Sequence, residues 1–262
     1  MIRLCANLSW LFQEHAFLAR FGAARRAGFR AVECLFPYDT PTGETRAALV
    51  TENLEIALIN TPPGDWQKGE RGFAAVPGAE ARFRACLEQA IDYARTIGAP
   101  RIHVMAGLVP AGATLAECEA VFVDNLRQAS DRLSPHGLTA TIEPLNSTDV
   151  PGYVLSGSMQ ARRIIDAVAR PNVKLQWDAY HLQIMEGNLA TSFERHLPVI
   201  GHVQIAGVPG RFEPADCEID YRFLLARIAA LGYQGWVGCE YRPRTETLAG
   251  LGWARDYGIS AG

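Results

Sequence analysis

Residues 101–107 read RIHVMAG and residues 199–207 read VIGHVQIAG. Each is a short run with apolar side chains on both sides of the pleat, the pattern of a strand covered on both faces. Strands of that kind belong to a parallel sheet wrapped by helices. Similar runs recur along the chain, and amphipathic stretches alternate with them. IRLCANL precedes a helical pattern over 14–27, with Gly28 placed to stop it. RAVECLF precedes a helix over 43–53, and LEIALIN is the third strand. Helical patterns over 78–97, 115–133 and 156–168 lead into RIHVMAG, LTATIEP and VKLQWDAY. Those over 189–196 and 221–231 lead into VIGHVQIAG and GWVGCEY, and one over 246–257 closes the chain.

Eight strand-and-helix units in 262 residues match the roughly 250 residues usual for a barrel of eight parallel strands. The expected fold is therefore a single α/β domain over residues 1–262, a (β/α)8 barrel. An open doubly wound sheet is the rival. It requires a glycine-rich phosphate turn, and neither GxGxxG nor GxxxxGKS occurs. The same absence argues against a nucleotide-derived or other organic cofactor.

Composition narrows the function further. A hydrophobic content of 48% supports a sizeable core, while a net charge of −3 gives no electrostatic basis for binding nucleic acid or an anionic membrane. No run reaches the 18 or more apolar residues of a membrane span. The six cysteines, Cys5, Cys34, Cys86, Cys118, Cys217 and Cys239, form no CxxC pair, and we expect reduced thiols and a cytoplasmic protein. The opening MIRLCANLSWLFQEH supports that, being broken by Asn7 and Ser9 with no small-residue cleavage site after it. The Asn146-Ser147-Thr148 sequon is then incidental.

Four strands end on a side chain suited to water or a metal. These are Glu143 in LTATIEPLN, Asp178 in VKLQWDAYH, Gln204 in IGHVQIAG and Glu240 in GWVGCEYRP. In a parallel barrel the C-terminal strand ends meet around one axis, so the four form an arc at the mouth. Three carboxylates so close repel one another and call for protonation or a cation. An all-oxygen set favours Mg²⁺ or Mn²⁺ over zinc. Arg211 in the loop after strand seven, with Arg242 as alternate, is the candidate cation for an acidic substrate. His181, His103 and Asn60 are placed to line the same cavity, and His202 to support Gln204 from one layer deeper. His15, His136 and His196 are expected at the surface. The Pro/Gly-rich segment 60–78 is longer than an ordinary connection. It is either a surface excursion or subunit contact, or a lid carrying Trp66, Lys68, Glu70 and Arg71.

IEPLNSTDVPGY, LQWDAYHLQIMEG, GHVQIAGVPGRFEP, EIDY and GWVGCEYRP resemble the hydroxypyruvate isomerase family, within the xylose isomerase-like barrels. RLCANLSWLF, AVECLFPYD and PPGDWQKGERGFAAVPG extend the likeness over nearly the whole chain. HVMAGLVPAG and HVQIAGVPGRFEP lean towards the similar 2-oxotetronate isomerases, while IEPLN and HLQIMEG lean towards hydroxypyruvate isomerase. The resemblance implies that Glu143 and Glu240 are a catalytic pair and that Glu143, Asp178, Gln204 and Glu240 hold a divalent metal. It further implies a small hydroxy-oxo acid substrate. Many barrels of the wider group carry histidine where Gln204 stands. Alternatives are a ketose 3-epimerase, a metal phosphodiesterase resembling endonuclease IV, and a non-catalytic binding barrel. The sequence leaves open whether the chain forms a homo-oligomer.

Overall fold

The computed structural model describes residues 2–260. Its strands are β1 (Arg3–Asn7), β2 (Ala31–Cys34), β3 (Glu55–Asn60), β4 (Arg101–His103), β5 (Thr139–Ile142), β6 (Val173–Asp178), β7 (Ile200–Ile205) and β8 (Trp236–Cys239). They are parallel and pair in chain order, and β1 closes on β8 with Arg3 opposite Trp236 and Ala6 opposite Cys239. The eight-stranded barrel expected from the alternation is the observed fold.

The helices are α1 (Phe17–Arg26), α2 (Thr42–Thr51), α3 (Glu80–Ile97), α4 (Leu115–Leu133), α5 (Ser158–Val168), α6 (Ala179–Met185), α7 (Leu189–His196), α8 (Tyr221–Ala230) and α9 (Thr247–Gly250). Each long helix buries one stripe against the sheet. In α4 the buried positions Cys118, Phe122, Leu126, Ala129 and Leu133 repeat at helical spacing. Thr114 starts that helix, its hydroxyl accepting from Glu117 N while the Glu117 carboxylate accepts from Thr114 N. Such a capping box is worth about 1 kcal/mol.

Three expectations need correction. The chain leaves β6 directly into α6, a helix that the hydrophobic periodicity does not announce, because Asp178 Oδ1 caps it by accepting from Tyr180 N at 2.7 Å. The closing helix is a single α turn, α9, that tightens into a 3-10 segment over Leu251–Tyr257. Gly250 and Gly252 lie there, and each glycine costs a helix about 1 kcal/mol. His196 is buried in the last turn of α7, with neither ring nitrogen hydrogen-bonded. A short helix pressed on the barrel buries one face whatever occupies it, and the core keeps this imidazole neutral by lowering its pKa. His15 and His136 are exposed as expected. All six cysteines are free, four of them buried. Among the described residues no helix is long and apolar enough to cross a membrane.

Candidate active site

At the C-terminal mouth of the barrel lies a cavity of about 400 Å³. Asn60, His103, Glu143, His181, Arg211 and Glu240 line it, together with Trp10, Phe36, Trp66, Arg71, Tyr180 and Arg242. Asp178 and Gln204 stand just behind this lining. A larger cleft of about 620 Å³ lies elsewhere, between the 214–222 connection and the C-terminal segment, and receives none of the strand-end groups.

Several buried polar atoms at the mouth have no hydrogen-bond partner: Asn60 Oδ1, both ring nitrogens of His103, Glu143 Oε1 and Asp178 Oδ2. Buried polar groups are normally satisfied within the protein, so their convergence marks a surface made for a polar ligand. Glu143 is 5% exposed and its other oxygen lies 3.4 Å from His103 Nδ1. Burial first, and then repulsion from Glu240 and Asp178, raises the Glu143 pKa well above the ordinary carboxylate value. Burial lifts Glu240 to about 8, against the opposing pull of Arg211. Burial also raises Asp178, again opposed by Arg211.

Arg211 Nη2 donates to Glu240 Oε1 at 2.7 Å and lies 3.5 Å from Asp178 Oδ2, while Nε donates to the Glu240 carbonyl at 3.2 Å. Its guanidinium sits 4.9 Å from the Trp10 ring and 5.0 Å from that of Tyr180. The backbone at Arg211 is left-handed, with φ 59°. A residue held there costs of order 1–3 kcal/mol, and the ion pairs and stacked rings offset that strain.

His103 is held neutral, its pKa pressed down to about 3 by burial and by His202. Burial, then Arg211, also pushes His181 well below its usual value. His181 Nδ1 accepts from Asn146 N at 3.1 Å, so the proton of the neutral ring sits on Nε2. Nε2 lies 3.8 Å from Asp178 Oδ2 and is a donor facing the site. Asn146 is buried, and its Nδ2 lies 2.8 Å from the same His181 Nδ1. The apparent sequon therefore positions an imidazole.

The donors present fit a hard divalent cation. Three mutually repelling buried carboxylates converge, two of them with a free oxygen, and ligand atoms of Glu143 and Asp178 lie within 4.8 Å of each other, with a His181 ring nitrogen equally near. Gln204 is oriented otherwise. Its Nε2 donates to Glu33 Oε1 at 2.9 Å and to Glu240 Oε2, and its Oε1 accepts from Gln176 Nε2 at 2.6 Å. A metal contact through Oε1 needs the amide turned over, which sets that oxygen against the Glu33 carboxylate.

Glu33, Asn7 and Gln176 belong to the site as well; Asn7 ends β1 but is not among the four strand ends singled out, while Glu33 and Gln176 lie inside their strands. Glu33 is fully buried on β2, accepting from Asn7 Nδ2 at 2.9 Å and lying 2.6 Å from His202 Nε2. Gly238 on β8 makes room for it, since a Cβ there would collide with the Glu33 carboxylate. The one signal in the sequence is a charged residue inside the short strand AVEC. His202 does support Gln204 from the deeper layer, through Glu33.

The family described as a xylose isomerase-like TIM barrel matches residues 21–257. A 2-oxo-tetronate isomerase of Cupriavidus necator is 51% identical over 98% of this chain and 99% of its own length. Hydroxypyruvate isomerase of Escherichia coli is 46% identical over 98% of this chain and the whole of its own. A crystal structure of a protein from Brucella melitensis, named AP endonuclease, family 2, superposes with a TM-score of 0.96 at 44% identity, covering 98% of this chain and 99% of that one. The chain belongs to the xylose isomerase-like TIM-barrel family and, within it, to the isomerase group that includes hydroxypyruvate isomerase and 2-oxo-tetronate isomerase.

Proposed function

We propose that this isomerase interconverts the adjacent carbonyl and hydroxyl groups of a short hydroxy-oxo acid, either hydroxypyruvate with tartronate semialdehyde or 2-oxotetronate with 3-oxotetronate. The observation that carries the reading is the pair of buried glutamates, Glu143 and Glu240, facing one cavity with raised pKa values. The reaction removes a proton from the hydroxyl-bearing carbon beside the carbonyl, passes through an enediolate, and returns a proton to the former carbonyl carbon. Two carboxyl groups whose pKa values burial raises serve both steps.

The roles divide by environment. Glu240 is hydrogen-bonded to Arg211, whose charge opposes the rise in its pKa, and it takes the proton once ionised. Glu143 has no arginine hydrogen-bonded to it, holds its proton more firmly and delivers it to the neighbouring carbon. Neutral His181 donates from Nε2 to a substrate oxygen, and His103 and Asn60 offer their unpartnered atoms to the remaining hydroxyl and carbonyl groups. Arg211 fixes Glu240 and reaches the adjacent substrate oxygen. Glu143, Asp178 and Glu240 would hold a divalent metal such as Mg²⁺ or Mn²⁺, with Gln204 joining only after its amide turns. Such an ion would supply Lewis acidity to the negative charge that develops on the substrate. No organic cofactor enters this scheme.

The name of the 44% identical Brucella protein, AP endonuclease, favours a second reading, cleavage of abasic DNA. That reading calls for a basic face against phosphates, and this chain carries a net charge of −3. The test is an isomerisation assay on both acids, run beside an abasic oligonucleotide, before and after dialysis against EDTA. We expect acid turnover that EDTA abolishes and Mn²⁺ or Mg²⁺ restores. Cleaved oligonucleotide with no acid turnover supports the second reading, and a rate indifferent to EDTA removes the metal assignment.

A further inference from the structure

The segment 60–78 is fixed in place. Gly72 N donates to Pro63 O at 2.8 Å, Ala75 N to Ala106 O at 2.7 Å, and Asn125 Nδ2 on α4 to Ala74 O at 2.9 Å. Glu70 is locked by both guanidinium nitrogens of Arg82 at 2.8 Å. Gly72, at φ 103°, packs so closely that a Cβ would collide with Met105 O. The segment therefore presents Trp66 and Arg71 to the cavity on a rigid base.

Arg71 is held on one side only. Its Nη1 donates to the carbonyls of Trp66 at 3.0 Å and Glu70 at 2.8 Å, and its guanidinium lies 3.6 Å from the Trp66 ring centre. The Trp66 ring in turn packs on Phe36. Nε and Nη2 make no hydrogen bond among the described residues, and the neighbouring carboxylate of Glu70 is taken by Arg82. Arg211 differs, because its guanidinium already answers Glu240 and Asp178. The β3 and β7 loops that carry these two arginines follow strands four positions apart in a closed ring of eight, so they face each other across the mouth.

We propose that Arg71 reads the carboxylate of the substrate, through Nε and Nη2, and so makes the enzyme selective for acids over neutral sugars. This rests on the isomerase reading above and adds the residue that recognises the acid group. In either candidate acid the carboxylate is bonded directly to the reacting carbonyl carbon, so its cation must border the chamber that holds the glutamates. Arg71 borders it and has an edge with two parallel donors to give, the arrangement that suits a carboxylate. Arg242 also borders it, but its side chain is exposed and forms no hydrogen bond or ion pair among the described residues.

The test compares Arg71→Met, Arg71→Lys and Arg242→Met with the unaltered enzyme. Substrates are hydroxypyruvate and 2-oxotetronate beside their neutral counterparts dihydroxyacetone and erythrulose, and calorimetry measures binding of tartronate, a hydroxy acid that cannot isomerise. We expect Arg71→Met to raise KM for the acid about 10- to 100-fold, with kcat within about 3-fold and any turnover of the neutral sugars unchanged. Arg71→Lys should recover part of the loss, and tartronate affinity should fall in parallel. An unchanged KM in Arg71→Met, or the same loss in Arg242→Met instead, overturns the proposal. If the unaltered enzyme turns over neither acid, the isomerase reading fails by itself. Tartronate binding then decides separately: weakened by Arg71→Met it upholds the anion contact, and unaffected it overturns it.

Discussion

Two polar layers stack inside the mouth of this barrel and differ in one respect. In the deeper layer Glu33, Asn7, Gln204, Gln176 and Thr141 satisfy one another, with Thr141 Oγ1 donating to Gln176 Oε1 at 2.9 Å, and of the His202 ring that joins them only Nδ1 lacks a partner. In the upper layer Glu143, Asp178, His103 and Asn60 keep buried atoms without partners. A satisfied network is rigid and inert, whereas unsatisfied buried groups retain free energy that a ligand can recover. That difference separates residues that hold the site from those that act in it.

The largest expected effect is in the upper layer. Glu143→Gln and Glu240→Gln should each lower kcat about 10²- to 10⁴-fold, the scale of a lost general acid or base, with little change in the urea midpoint. Unaltered turnover in either variant removes the two-base scheme. The deeper layer should respond the other way round. Glu33→Ala leaves His202, Asn7 and Gln204 without their acceptor, and removing one partner from such a buried set costs about 3–5 kcal/mol of stability, read from urea unfolding. A loss under about 1 kcal/mol would mean that this layer does not organise the barrel.

Legibility in the sequence follows the same division. The barrel could be read because its strands are apolar on both faces, and the upper layer because its carboxylates interrupt those runs at their ends. Glu33 escaped because a lone charge within AVEC looks like any strand residue until Gly238 and His202 are brought beside it. The direction in which Gln204 turns its amide depends on Glu33, Gln176 and Glu240, which lie far apart along the chain. Segment 60–78 was recognisable as unusual from its prolines and glycines. Its rigidity comes from backbone hydrogen bonds to the residues after β4, which no local pattern encodes. His196 shows the converse limit, since helical periodicity did not reveal that its face turns inward.

A smaller effect concerns pH. Glu240 stands at about 8 when folded against 4.5 as a free side chain. The folded chain then binds the extra proton between those values, so metal-free stability falls as pH rises through that window. Mn²⁺ should restore more stability at pH 8 than at pH 5, seen as a larger rise in Tm at the higher pH, at ~2–4 °C per kcal/mol. An equal rise at both would place the ion away from these carboxylates.

The central claim is that two different carboxyl groups of the upper layer move the proton. It is tested most directly by running the isomerisation in D₂O and measuring deuterium on the carbon that gains hydrogen, by mass spectrometry at early conversion. Delivery from Glu143, whose acidic proton exchanges with solvent, predicts one deuterium per product molecule. Product carrying the substrate's own hydrogen and no deuterium would contradict the claim, because it would mean that hydrogen crosses between the carbons directly or on a single carboxyl group.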